Sequence, residues 1–106
     1  MIIIQATTPT FRYTLPEAAS SYDDFVVNIT QNGISVCELG ADRLTQSEKT
    51  VSFTLTQEET AGLSTDYQAG IQMRVWKGLG TDEPRCYGTR RTFFEVYPSA
   101  NMEVRL

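Results

Sequence analysis

Apolar and polar residues alternate with a period of two along most of the chain, and the spacing of an amphipathic helix is nearly absent. Ile2 to Gln5 reads as a short apolar strand. Phe11, Tyr13 and Leu15 alternate with Arg12 and Thr14, which predicts a half-buried second strand stopped by Pro16. Phe25, Val27 and Ile29 alternate with Val26, Asn28 and Thr30 in a third. Asn32-Gly33 then fits a two-residue hairpin, because both turn positions need positive φ. On the returning strand Ile34, Val36 and Glu38 share one face, with Cys37 and Leu39 on the other.

Gly40 to Lys49 is polar and is expected to be loop. Val51, Phe53 and Leu55 alternate with Ser52, Thr54 and Thr56 in the cleanest amphipathic strand of the chain. Thr56-Gln57-Glu58-Glu59 has the spacing of a capping box, so one helical turn is predicted as far as Gly62. A long strand follows, with Tyr67, Ala69, Ile71, Met73 and Val75 on one face and Gln68, Gln72, Arg74 and Trp76 on the other. Gly78 to Pro84 is a turn, and Cys86 to Tyr97 reads as one final strand ended by Pro98. About seven short strands with a turn every 8–12 residues predict an all-β fold, an immunoglobulin-like antiparallel β-sandwich. Residues 1–106 are read as one such domain. Tyr67 stands two residues before a core position and just after a crossing turn. That is the place of the corner tyrosine of such folds, so its hydroxyl is expected on the backbone between Gly62 and Thr65. The antibody signature is absent: Cys37 lies well before Trp76, and Ala69 stands where the second cysteine would be.

Charge and chemistry remove several functions. The chain carries 9 basic and 13 acidic residues, a net charge of −4, which argues against a nucleic-acid partner. It has no histidine, and so no Ser-His or Cys-His nucleophile and no imidazole ligand. The opening Met1-Ile2-Ile3-Ile4-Gln5 lacks the basic region and long apolar run of a secretion signal or membrane span. Cytoplasmic synthesis is expected, with Cys37 and Cys86 as two buried, unpaired thiols. Asp23, Asp42, Glu48 and Asp82 are expected in loops at one end, where calcium would find oxygen ligands. Arg43, Lys49, Lys77 and Arg85 are expected at the same end, and no loop has calcium-site spacing, so solvated charge is the reading and no metal or cofactor is expected. Adjacent carboxylates on a strand point to opposite faces and cannot act as a glycosidase pair. No catalytic residue and no small-molecule substrate are expected.

Trp76, Tyr87, Phe93 and Tyr97 are the aromatic side chains of the last two strands, with Arg74, Arg90 and Arg91 nearby. They suit ordinary packing, a protein interface or a platform for sugar rings. Ile2, Ile3 and Ile4 cannot all enter one core, because successive side chains alternate in direction. Met102, Val104 and Leu106 alternate with Glu103 and Arg105 and predict an amphipathic strand beyond Pro98. The candidate interface is therefore Ile2, Ile3, Ile4, Trp76, Tyr87, Met102, Val104 and Leu106, contacting another copy or a partner.

Three stretches resemble a known group. They are Gln5-Ala6-Thr7-Thr8-Pro9-Thr10, Val51 to Thr60 (VSFTLTQEET) and Tyr67 to Val75 (YQAGIQMRV). Together they resemble small structural proteins of phages and prophages of Gram-positive bacteria, and the Ig-like N-terminal domain of phage baseplate upper proteins. That family ends in a Leu-Lys-rich stretch, whereas this chain ends Met102-Glu103-Val104-Arg105-Leu106. The resemblance implies a non-enzymatic virion structural protein, a tail or baseplate component acting among other virion proteins. A carbohydrate-binding or adhesion module is the alternative.

Overall fold

The alternating segments become strands in a computed structural model that describes residues 1–106. They are β1 (Ile2–Ile4), β2 (Thr10–Thr14), β3 (Asp24–Gln31), β4 (Ile34–Gly40), β5 (Thr45–Ser47), β6 (Thr50–Thr54), β7 (Ala69–Lys77), β8 (Arg85–Gly88) and β9 (Thr92–Tyr97). One short α-helix, α1 (Gln57–Ala61), lies between β6 and β7, and 3-10 turns form at Ala19–Ser21 and Ala41–Arg43. The larger sheet has the order β1-β9-β7-β3-β4, with β8 also on β7, and the smaller has the order β2-β6-β5. All pairings are antiparallel except β1 with β9.

Burial follows the pleat most strictly in β3, where Phe25, Val27 and Ile29 point inward. The inward residues of both sheets join in one core of eighteen apolar side chains. Phe11 links the layers, with ring centroids 5.4 Å from Phe53 and 6.0 Å from Phe94. Asn32 and Gly33 have φ of 52° and 74°, as the β3–β4 hairpin requires. On β4 the register slips by one residue opposite Ile29 and Thr30. Val36 is the extra residue, so Ser35 rather than Ile34 shares the face of Glu38, where Asn28 Nδ2 donates to both Ser35 Oγ and Glu38 Oε1, and simple alternation fails.

The predicted loop 40–49 contains β5, whose three residues are all exposed. No apolar alternation marks it. Its pairing with β6 alone makes it a strand. The predicted final strand is broken into β8 and β9. Between the pairs Arg74–Gly88 and Ile71–Thr92, two residues of β7 face three of the partner, so one residue is extra. Thr89 holds the break closed: its Oγ1 accepts from Met73 N at 3.0 Å, and its own N–H donates to Met73 O at 2.9 Å.

The capping box forms as predicted. Glu59 N donates to Thr56 Oγ1 at 3.1 Å, and Thr56 N donates to Glu59 Oε1 at 2.8 Å. Arg43 then grips the same carboxylate with Nη1 at 3.0 Å and Nη2 at 2.8 Å, and also donates to Thr54 O. Those hydrogen bonds from Arg43 outweigh partial burial and hold the Glu59 carboxyl down to about 2. Because the folded-state value lies below the unfolded 4.5, the pair stabilises the fold fully above that pH and loses its effect as pH falls toward 2. Glu59→Gln should cost about 1–2 kcal/mol at neutral pH and flatten the acid limb of stability. Urea midpoints taken near neutrality and near the foot of that limb check both parts.

Tyr67 does not make the corner. It is exposed, and its hydroxyl enters no hydrogen bond. The crossing turn is held instead from β3 by buried Gln31. Its Nε2 donates to Ser64 O at 2.8 Å and to Tyr67 O at 3.0 Å, and its Oε1 accepts from Ser64 N at 2.9 Å. A side chain already inside the sheet thus satisfies the groups that a tyrosine hydroxyl would reach from outside.

Candidate interaction surface

The two sheets expose very different faces. In β9, Phe94 and Val96 enter the core, so Phe93, Glu95 and Tyr97 point outward. In β1 only Ile3 turns inward, and at 3% exposure it is a core residue; its place in the predicted interface is corrected. Ile2 and Ile4 lie opposite Glu95 and Tyr97 on the outer side. Ile2, Ile4, Phe93 and Tyr97 are 53%, 38%, 51% and 49% exposed and form one apolar group around Glu95 at the sheet edge. Gly70 makes room for it, because a Cβ there would stand 3.3 Å from Phe93 Cε1.

The other predicted aromatic residues do not join this group. Trp76 lies on the same outer face but six residues along β7 from Gly70, about 20 Å away at strand rise. It is half-buried, and the Arg74 guanidinium carbon sits 5.0 Å from its ring centroid. Tyr87 pairs with inward Val75 and so turns toward the gap between the sheets. Alternation along one strand cannot reveal this, since the extra residue after Gly88 reverses the sense of the faces between β8 and β9.

That gap opens as a groove of about 610 Å³ between β2 and the β8–β9 break, lined among others by Tyr13, Leu15, Tyr22, Val75, Tyr87 and Thr92. Burial pushes the Tyr13 phenol up, offset in part by the nearby Thr92 and Thr89 hydroxyls, though neither makes a well-formed hydrogen bond to its buried hydroxyl. Arg90 stands on the rim and enters no ion pair, whereas Glu17 there is held by Lys77. No motif announced the groove.

Residues 98–106 form no strand, which corrects the predicted one. Pro98 cannot donate to a ladder, and the chain runs instead to the α1 end. There Arg105 N donates to Gln57 Oε1 at 3.0 Å, and Gln57 Nε2 donates to Arg105 O. Met102 and Leu106 are exposed and Val104 is half-buried.

Both cysteines are free thiols, but neither is fully buried, and Cys86 is exposed because it faces outward beside Trp76. Cys37 is half-buried near Glu59, and burial together with that carboxylate pushes its thiol up to about 11. The predicted acidic end is not assembled as expected: Arg43, in a 3-10 turn at Ala41–Arg43, is engaged by Glu59 of α1, and Asp23 Oδ2 accepts from Leu79 N at 2.9 Å. No group of three acidic or thiol side chains stands close enough to hold a metal ion. No helix is long and apolar enough to cross a membrane.

No sequence-family profile matches the chain, and no curated protein sequence matches it. Its backbone is similar to the Ig-like domain of mouse leukocyte-associated immunoglobulin-like receptor 1, solved as a strand-swapped dimer. The TM-score is 0.54 at 12% identity, over 92% of this chain and 86% of that one. The extracellular domain of the same receptor, also a strand-swapped dimer, gives 0.51 at 10% identity over 91% and 85%. The order β9-β7-β3 facing β2-β6-β5 is that of an immunoglobulin-like sandwich, and β4 extends the larger sheet by one strand where variable-type domains add two. The chain is an immunoglobulin-like β-sandwich.

Proposed function

We propose that this sandwich is a non-enzymatic assembly module, a phage or prophage tail or baseplate component that works through protein–protein contacts. The observation that carries the assembly reading is the outward group of Ile2, Ile4, Phe93 and Tyr97, four large exposed apolar side chains around Glu95 on the β1–β9 edge. An edge strand that displays apolar residues is a liability unless something covers it. The lack of histidine and of any clustered metal-binding side chains supports a binding role over a catalytic one. The virion setting rests on the three sequence stretches that resemble phage structural proteins. The mouse receptor domains of the same fold are strand-swapped dimers, so this architecture supports association through strands.

Phe93 and Tyr97 on one face also suit stacking on sugar rings, which keeps the carbohydrate-binding alternative specific. One experiment separates the two. Particles purified from a host that carries the gene should contain the chain at a fixed ratio to tail proteins, and Phe93→Asp should abolish its incorporation. Absence from particles, together with glycan binding lost in Phe93→Ala, would establish the alternative.

A further inference from the structure

β2 is one of the two edge strands of the smaller sheet, the other being the three-residue β5. Leu15 N donates to Lys49 O, and Leu55 N donates to Pro9 O, which makes the odd-numbered residues of β2 the hydrogen-bonded pairs with β6. Thr10, Arg12 and Thr14 therefore turn their N–H and C=O groups away from β6, where no strand meets them. The groove with the unpartnered Tyr13 hydroxyl lies beside this edge. Arg12 on the strand and Arg90 on the rim are both without a carboxylate partner, in a chain whose net charge is −4. An unpaired ladder, apolar lining and two free cations call for an extended segment that is apolar on one side and acidic on the other.

Residues 101–106 offer an apolar side with one carboxylate, Glu103, on the other; that carboxylate would exchange its local partner Arg105 for Arg12. Met102, Val104 and Leu106 alternate with Glu103 and Arg105, and the segment belongs to neither sheet. We propose that residues 101–106 of a second copy add to β2 as an antiparallel strand, with Glu103 opposite Arg12. In that register Met102 lies beside Tyr13 and enters the groove, and Val104 lies beside Phe11. Opposite charges face each other across the pair, where they favour the register. The same copy cannot supply this strand directly. Its segment leaves β9 at the α1 end, where β2 also begins, and so would run along β2 in the parallel sense. Two copies exchanging segments form a closed two-fold dimer.

The inference rests on the assembly reading and names one contact of it. The test is sedimentation equilibrium of the full chain at rising concentration, with melting curves to show that each variant folds. A monomer–dimer equilibrium is expected. Arg12→Glu and Glu103→Arg should each weaken it about tenfold, and an equimolar mixture of the two variants should recover it in part, through the matched pairs. Val104→Asp should abolish it, and Phe93→Asp in the outer group should leave it unchanged. A strict monomer overturns the proposal, as does a dimer indifferent to Arg12→Glu and Val104→Asp. A monomer destabilised by deleting residues 99–106 overturns it in favour of the chain's own segment. None of these failures bears on incorporation into particles, which tests the assembly reading separately.

Discussion

Gln31→Leu lowers the stability of the fold by about 2–4 kcal/mol, because it strands three backbone groups at the turn before β7. The side chain is 5% exposed and makes three hydrogen bonds of 2.8–3.0 Å to Ser64 and Tyr67. Leucine fills a similar volume but offers no donor or acceptor, so Ser64 N–H, Ser64 C=O and Tyr67 C=O must find water or move. Tyr67→Phe, by contrast, changes stability by less than about 0.5 kcal/mol, as expected of an exposed side chain without a partner. Denaturant midpoints of the two variants decide the matter. An unaffected Gln31→Leu with a destabilised Tyr67→Phe would return the corner to the tyrosine.

Phe94→Ala should cost about 3–5 kcal/mol, the range for emptying a buried aromatic position. Phe94 is 1% exposed, packs against Phe11 and lies opposite Ala69 on β7. Ala69 is too small to fill the void, and the strands on either side of β9 are held by their ladders. Its neighbour Phe93 points the other way. Phe93→Ala should leave the denaturant midpoint within about 1 kcal/mol of the parent, while removing half of the aromatic surface of the outer group. Equal losses in the two variants would mean that the inside and outside of β9 are misassigned.

The features written in the sequence are those whose cause is local. Alternation in β3, the Asn32-Gly33 turn and the capping box at Thr56 each depend on residues within a few positions of one another, so pattern and conformation coincide. The same holds for the two-way split of Ile2, Ile3 and Ile4, since the pleat alone forbids burying all three. Which of them goes in was decided by the pairing of β1 with β9. The exposed apolar group on the outer face was legible in part: Ile2 and Ile4 lie near Phe93 and Tyr97, while Trp76 and Tyr87 lie apart from them.

Tertiary structure decided whatever depends on register between distant segments. β5 exists only because β6 pairs with it, and no property of Thr45-Gln46-Ser47 alone distinguishes it from loop. The extra residue around Thr89 shifts the side-chain faces between β8 and β9, and that sends Tyr87 into the groove while Phe93 stays outside. Gln31 became the corner clamp because antiparallel pairing of β3 with β7 sets it opposite Ala69, beside the turn at Ser64. Sequence alone determined that this is a β-sandwich without nucleophilic or metal chemistry based on histidine. Which edges stay open, and where a groove forms between the layers, came from how the strands align, a long-range balance of packing and backbone pairing that no short window of residues contains.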